Sequence, residues 1–207
     1  MHEQPPQPSG DEPQTAEPEN EPSATRPQIW VSSWLDYNNG VLYGDWLAAD
    51  RDVEEIQADI AALLAASPTA ALTGEAAEEW GVFDFDGFGG LRIDEQPDLG
   101  WVSTVAIGIS RHGPALAAWA ELVAGDVDRL GEFEDAFLGH YPSAETYAEQ
   151  LIDDLGYNQQ LDEALPDGIR RYVRIDTAGL ARDLQMEGAI EVVPADDGGV
   201  WVFHPNW

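Results

Sequence analysis

Carboxylates outnumber cationic side chains by more than four to one in this sequence, and this imbalance limits how the chain can fold. Its 207 residues contain 40 aspartates and glutamates against nine arginines, with no lysine, for a formal net charge of −31. A small domain needs a net charge of only about 2–8 for solubility. Because like charges repel one another in a compact state, some property other than solubility must favour this excess.

Three explanations fit so acidic a chain: intrinsic disorder, adaptation to high salt, or a surface that imitates the charge of nucleic acid. Disorder does not fit most of the sequence, since 43% of the residues are hydrophobic and eight are tryptophan, which is enough to build a core. Residues 1–27 differ, because they are rich in proline and glutamate and nearly free of large apolar side chains. We expect this segment to be a disordered acidic tail.

The cysteine content and the distribution of apolar residues predict the cellular compartment of the protein. There is no cysteine, so neither a disulfide framework nor thiolate chemistry is expected. Residues 1–27 lack the apolar region of a signal peptide, and no segment approaches the ~20 apolar residues that a membrane-spanning helix needs. These observations predict a soluble, cytoplasmic protein that does not associate with a membrane.

Alternating apolar residues and turn signals predict an antiparallel sheet at the start of the folded region. Two strands are expected at residues 29–35 and 41–48, joined by a hairpin at DYNNG, in which Asn-Gly is a strong turn signal. An Asp-x-x-Glu capping box predicts a helix over residues 52–66. Residues 80–85 alternate like a further strand of the same sheet.

Helical patterns dominate from residue 97 onwards, although residues 102–109 are β-branched and fit a helix or a strand. The clearest helix covers residues 143–155, which Ser143 caps and Gly156 ends. The remaining predicted elements are helices over residues 114–124, 127–138 and 175–188, and a terminal hairpin of residues 189–193 with residues 200–204. Together these elements predict an α+β fold.

The charge lies on the folded region and is greatest in its middle. Residues 28–207 hold 34 acids and eight arginines, for a net charge of −26. Twenty-one of the acids lie between Glu75 and Asp167, where only three arginines occur. The closing arginines, which include Arg170, Arg171 and Arg174, could form a nucleic-acid patch, but in so acidic a chain they are expected to pair with carboxylates away from any surface that imitates DNA.

The segment at residues 84–95, DFDGFGGLRIDE, partly matches a calcium-binding loop. Acids occupy positions 1, 3 and 12 of that template and a glycine occupies position 6. Position 5 is Phe88, which supplies no oxygen ligand, and the preceding residues read as a strand where a helix is required. An acidic strand followed by a glycine turn is therefore the better prediction, and no metal is expected.

Catalytic motifs are missing from the sequence. The four histidines have no metal-ligand spacing, and there is no phosphate-binding glycine loop or nucleophile elbow. Pairs of carboxylates are numerous, but 40 acids produce such pairs by chance. The sequence therefore predicts a protein that is not an enzyme and needs no cofactor.

The predicted helix at residues 143–155 carries a regular row of acids. Glu145, Glu149 and Asp153 are four residues apart, so they line one helix face at intervals of ~6 Å. Like charges at this spacing cost a few tenths of a kcal/mol each. B-DNA carries a phosphate every ~3.4 Å along each strand. The row can therefore be a solvated helix face or an imitation of a phosphate backbone, and the pattern alone fits both.

Four segments resemble the ArdA family of antirestriction proteins, which are DNA mimics carried by mobile genetic elements. They occur in the family's order: IWVSSWLDYNNGVLYGDW at residues 29–46, EWGVFDFDGF at 79–88, FLGHYPSAETYAEQL at 137–151, and RYVRIDTAGLARDLQMEG at 171–188. Asp86 stands where the family usually has glutamate, and Arg174 where it usually has an acid or polar residue. Residues 1–27 are outside the family pattern.

This resemblance implies an elongated chain of three small subdomains. We place an N-terminal antiparallel sheet with a helix at residues 28–97, a helical subdomain at 98–139, and a C-terminal α+β subdomain at 140–207. The resemblance also implies a homodimer that occupies the DNA-binding groove in the methyltransferase core of type I restriction-modification enzymes, without binding nucleic acid itself.

Sixteen carboxylates form the predicted DNA-mimic acidic surface: Asp84, Asp86, Asp94, Glu95, Glu121, Asp126, Asp128, Glu132, Glu134, Asp135, Glu145, Glu149, Asp153, Asp154, Asp162 and Glu163. Two alternatives remain open at this point. One is a general acidic decoy for basic DNA-binding proteins. The other is a salt-adapted protein whose acidity involves no mimicry.

Overall fold

Two three-stranded antiparallel sheets, separated in sequence by helices, form the framework of the protein. The computed structural model describes residues 26–124 and 126–205, so the predicted tail lies almost wholly outside the described residues. The α+β fold class is confirmed.

The first sheet has the strand order β2-β1-β3, with β1 in the centre and antiparallel to both neighbours. Its elements are β1 (Gln28–Ser33), α1 (Trp34–Asn38), β2 (Gly44–Ala48), α2 (Val53–Ala65), α3 (Pro68–Thr73) and β3 (Trp80–Asp86). The predicted hairpin was wrong in its details. Ser33 caps a short helix by accepting a hydrogen bond from the N–H of Asp36, so the chain leaves β1 as α1 and not through a tight turn.

Four helices follow the first sheet: α4 (Leu99–His112), α5 (Pro114–Leu122), α6 (Val127–Leu130) and α7 (Phe133–Ala136). The ambiguous residues 102–109 are helical, and Asp98 caps this helix by accepting from the N–H groups of Gly100 and Trp101. The single helix predicted for residues 127–138 was wrong, because the chain forms α6 and α7 and then turns into a strand.

The second sheet has the order β4-β6-β5 and is antiparallel throughout. Its strands and the helices between them are β4 (Phe137–Tyr141), α8 (Ala144–Asp154), α9 (Tyr157–Ala164), α10 (Asp167–Arg170), α11 (Thr177–Met186), β5 (Glu191–Pro194) and β6 (Val200–Phe203). The predicted helix at 143–155, its Ser143 cap, the helix at 175–188 and the terminal hairpin are confirmed.

A continuous core of buried apolar side chains connects the two sheets. It begins with Ile29 and Val31 of β1, continues through Ile56 of α2 and Trp119 of α5, and reaches Phe203 of β6. The predicted division at residues 139/140 falls within β4. The three subdomains therefore remain a prediction.

One apolar stretch has the length of a membrane-spanning helix. Val53–Thr73 is long and apolar enough to cross a membrane by length and composition, which corrects the expectation that no segment comes near this threshold. The stretch consists of α2 and α3, with Ser67 capping α3 at Pro68. Ile56 and Ile60 of α2 are buried in the core, which is the pattern of an amphipathic helix in a folded domain.

Candidate acidic interaction surface

The sixteen predicted carboxylates are distributed over six elements and the loops beside them. Asp84 and Asp86 lie on β3, Glu121 on α5, the row from Glu145 to Asp154 on α8, and the last two acids on α9. Fifteen of the sixteen are exposed, and Glu132 is partly buried. The prediction that these residues form one interaction surface requires a partner and stays a prediction.

Few of these carboxylates are neutralised by a cation. Within residues 26–124 and 126–205, three of the sixteen lie within 4.0 Å of a basic side chain. Glu132 is 3.9 Å from Arg129, Glu134 is 3.8 Å from His112, and Asp162 pairs with Arg170. The histidine pair is charged only when the imidazole is protonated. The other thirteen carboxylates keep their negative charge open to solvent or to a partner.

The acids of α8 are held by neutral groups. Thr177 Oγ1 donates to Glu145 Oε1 at 3.1 Å, and Asn158 Nδ2 donates to Asp153 Oδ1 at 2.6 Å. The neighbouring face of α8 buries Ala148 and Ile152. The acidic row at four-residue intervals lies beside this buried stripe and is exposed, and its hydrogen bonds orient two carboxylates without removing their charge.

The closing arginines behave differently from the prediction. Arg170 does pair with a carboxylate, but that carboxylate is Asp162, a member of the predicted surface. The guanidinium of Arg171 lies over the ring of Tyr172, with 4.9 Å between its Cζ and the ring centroid. Neither Arg171 nor Arg174 forms an ion pair with any residue that the structure describes.

Some acids of the surface also stabilise local structure. Asp126 Oδ1 accepts hydrogen bonds from the backbone N–H groups of Asp128 and Arg129, at 3.1 and 3.4 Å, and so caps α6. Asp84 and Asp86 each accept from the next backbone N–H at 2.9 Å. The sequence holds a signal for this cap, because an aspartate directly before a helix that begins at Val127 stands at the N-cap position.

The segment that partly matched a calcium loop is an acidic strand followed by a glycine turn, as predicted. β3 ends at Asp86, and Gly87 and Gly89 have the positive φ angles of 77° and 58° that a tight turn requires. Phe88, at the position where calcium needs an oxygen ligand, is buried in the core. The described part of the chain contains no group of three or more histidines or carboxylates arranged to hold a metal ion.

Among the residues that the structure describes, one acid is buried, which the sequence did not indicate. Asp36 of α1 is fully buried, and its carboxylate accepts hydrogen bonds from Ser33 Oγ and the backbone N–H of Thr69. Burial alone raises the pKa of Asp36, but the hydrogen bonds of Ser33, Thr69 and Ser67 outweigh it and lower the pKa to about 2. Asp36 is therefore a charged structural residue and not part of the acidic surface.

Comparison with known proteins identifies the family. The model of the antirestriction protein (ArdA) family matches residues 29–197, which is most of the chain. The chain belongs to the ArdA family of antirestriction proteins. All four segments that resembled ArdA lie within the matched region, on β1–α1–β2, β3, β4–α8 and α11. No curated protein matches the sequence.

Membership of the ArdA family gives the protein an antirestriction role, and with it restriction-modification enzymes as its partners. The family is described as antirestriction and not as a class of enzyme.

Proposed function

We propose that this ArdA protein is a DNA mimic that inhibits type I restriction-modification enzymes by occupying their DNA-binding groove. One observation carries the proposal. Thirteen of the sixteen carboxylates in the predicted surface have no ion pair with another residue in the described ranges, and all thirteen are exposed. A protein groove that binds DNA presents arginines and lysines to phosphates. Carboxylates without an ion pair offer these same cations a substitute for the phosphates of DNA.

The geometry of α8 supports this reading. Glu145, Glu149 and Asp153 project from one face of an ordered helix at intervals of ~6 Å. This interval is of the same order as the ~3.4 Å spacing of phosphates along one strand of B-DNA. Asp154 adds a further exposed carboxylate on the same helix.

Inhibition of this kind needs no covalent chemistry. The carboxylates act by competition for the groove, so the protein neither cleaves nor modifies its target. It would bind no nucleic acid and no membrane, and it would act in the cytoplasm, where restriction enzymes meet incoming DNA.

The charge of one chain suggests that two chains act together. The net charge of −26 on residues 28–207 corresponds to the phosphates of ~13 base pairs, at two charges per pair. Two chains would match ~26 base pairs, and a two-fold axis suits the two similar recognition halves of a type I methyltransferase core. We therefore include a homodimer in the proposal.

A displacement experiment tests the proposal. A fluorescent duplex with the recognition sequence is bound to a type I methyltransferase core at about 0.15 M salt, and the full chain is titrated in. We expect complete displacement at a protein concentration well below that of polyglutamate carrying the same total charge. Failure to displace the duplex would contradict the proposal.

A basic histone-like protein bound to the same duplex separates specific mimicry from a general acidic decoy. Equal displacement from both proteins would favour the decoy.

A second measurement distinguishes DNA mimicry from an adaptation to high salt. A salt-adapted fold needs molar salt to stay folded, whereas a DNA mimic must be folded at the lower salt at which DNA-binding proteins work. We expect the thermal midpoint to rise modestly between about 0.01 and 0.2 M salt as self-repulsion is screened, and then to level off. A fold that is lost below molar salt would favour the salt-adaptation alternative.

A further inference from the structure

The first sheet has one face in the core and one face with aromatic side chains. Ile29 and Val31 of β1 are fully buried on the side where α2 packs. Because strand residues alternate between faces, Trp30 lies on the opposite face, directly across from Trp46 of β2 in the register. The two indole rings meet edge to face, with centroids 5.7 Å apart and an interplanar angle of 67°. Trp46 is 38% exposed.

Gly44 makes room for this arrangement. A Cβ atom at Gly44 would lie 2.9 Å from two atoms of the Trp30 ring and 2.6 Å from the carbonyl oxygen of Val31. The ring of Trp30 can therefore lie close against β2 only because this position has no side chain. The Gly-x-Trp spacing in the sequence GDW thus supplies both the space for one indole and the second indole beside it.

More aromatic side chains lie farther along the same face. Gly81 is opposite Ser32 in the register, and a Cβ there would approach Trp34 and Phe83 to 3.2 and 3.3 Å. Tyr37 stacks on Phe83 with centroids 4.6 Å apart and is 57% exposed. Large exposed aromatic side chains grouped in this way mark an interaction site more often than isolated ones do.

Carboxylates border the aromatic rings. Asp84 is directly opposite Trp30 on β3, and Asp86 is opposite Gln28, two residues away on the same face. Both are exposed and neither forms an ion pair with a residue inside the described ranges. Directly opposite residues have Cβ atoms about 4.5–5.5 Å apart, so a ligand on the Trp30 ring is within reach of Asp84.

The chemistry of this face selects a cation with a flat apolar surface. Nucleic-acid bases also stack on exposed aromatic rings, but the carboxylates beside these rings repel the phosphates that accompany bases. A lysine ammonium is compact and strongly hydrated, whereas an arginine guanidinium is planar, stacks on indole and binds carboxylates through paired hydrogen bonds. An arginine side chain can therefore stack on the tryptophan rings and at the same time bind the carboxylates beside them.

We propose that Trp30, Trp46, Asp84 and Asp86 form a tryptophan face that binds arginine side chains of the partner's DNA-binding groove. This inference rests on the proposed function and adds a short-range contact to it. The dispersed carboxylates supply attraction over distance, and the tryptophan face supplies contacts that distinguish arginine from lysine. The face therefore makes the protein selective for grooves in which arginine contacts the phosphates.

The first experiment measures this selectivity on the isolated full chain. Tetra-arginine and tetra-lysine peptides of equal charge are titrated while the indole N–H signals are followed by NMR, with the Trp46 signal assigned from Trp46→Phe. We expect tetra-arginine to bind about three- to tenfold more tightly and to shift the Trp46 signal most. Equal binding of the two peptides, or an unshifted Trp46 signal, would overturn the proposal.

The second experiment measures displacement of DNA from the methyltransferase core. Trp46→Leu should weaken displacement about five- to tenfold, whereas Trp46→Phe should retain most of it because the ring face remains. Tyr172→Leu is the matched control, since Tyr172 is an exposed aromatic residue outside the face, and it should change displacement less than twofold. Equal loss in all three variants would contradict the proposal.

Other occupants of the face give distinct outcomes. Binding of a single-stranded oligonucleotide that shifts the Trp46 signal, or self-association that Trp46→Leu abolishes, would each overturn the proposal. If Trp46→Leu fails to fold by circular dichroism, the peptide titration on the natural chain decides. If the natural chain displaces no DNA but prefers arginine peptides, the proposed function is wrong, while the preference of the tryptophan face for arginine side chains is supported.

Discussion

The backbone N–H of Thr69 donates a hydrogen bond of 3.0 Å to Asp36 Oδ1, across 33 residues of sequence. Ser33 Oγ donates to the other carboxylate oxygen and accepts from the Asp36 N–H at 3.0 Å. One buried carboxylate thus joins the end of β1 to the start of α3. In a chain with so many exposed acids, this acid belongs to the core.

Replacement of this carboxylate should destabilise the fold in a pH-dependent manner. Because the folded pKa of Asp36 is lowered from 3.8 to about 2, its contribution is present above the unfolded pKa and is lost as the pH falls through about 2. Asp36→Asn should lower the free energy of unfolding by about 2 kcal/mol at pH 7. The difference from the natural chain should shrink between about pH 4 and pH 2.

Urea unfolding from pH 7 to pH 2 measures this difference, and Asp45→Asn, at an exposed site, is the control. A difference that does not change with pH would contradict the assigned role of the Asp36 charge.

The close approach of Trp30 to β2 makes Gly44 sensitive to substitution. Gly44→Ala places a methyl group against the indole ring and the Val31 carbonyl, and should cost about 1–3 kcal/mol of folding free energy. Gly168→Ala is the control, because a Cβ there meets no atom within 4 Å. Thermal unfolding compares the two, and equal midpoints for both variants would disprove the steric account.

Neutralising the acidic row on α8 should weaken inhibition without weakening the fold. Glu145→Gln, Glu149→Gln and Asp153→Asn should each have a small effect alone, because phosphate-like contacts are many and similar. Together they should reduce displacement of DNA clearly, while removal of like charges should raise helix stability by a few tenths of a kcal/mol.

A charge-matched control separates the row from net charge. Asp183→Asn, Glu187→Gln and Asp196→Asn remove three exposed acids outside the predicted surface. If this control weakens displacement as much as the α8 triple variant, total charge and not its placement determines inhibition. A single substitution in the row that abolished binding would indicate a localised hot spot instead.

The homodimer should be visible in solution. We expect light scattering at micromolar concentration to give twice the monomer mass, and small-angle X-ray scattering to give an elongated particle. A compact monomer that still inhibits fully would exclude the dimer from the mechanism.

Local signals predicted the elements that depend on local chemistry. Ser143 caps α8 through the N–H of Thr146, and Gly156 ends that region with a positive φ of 71°, so a few neighbouring residues define this helix. The exposure of its acids followed from the same periodicity. These features could be read from sequence because they do not depend on distant residues.

Features that depend on distant contacts could not be predicted. The DYNNG segment has a strong hairpin signal, but Asp36 is held by Thr69, and this long-range hydrogen bond favours a helical turn in its place. Phe137 looked like the end of a helix, although its backbone pairs with Phe203 of β6. Likewise, the tryptophan face depends on the alignment of three strands, which the spacing of Trp30 and Trp46 does not reveal.

The neutral donors beside Glu145 and Asp153 have a consequence for the lifetime of a complex with a partner. A flexible acidic side chain loses rotamer entropy when a partner fixes it, at a cost of about 0.5–1.5 kcal/mol. Thr177 and Asn158 restrict these two side chains when the monomer folds. These two side chains have therefore lost part of their rotamer entropy before the protein meets its partner. The complex should for this reason dissociate more slowly than one made by freely rotating carboxylates.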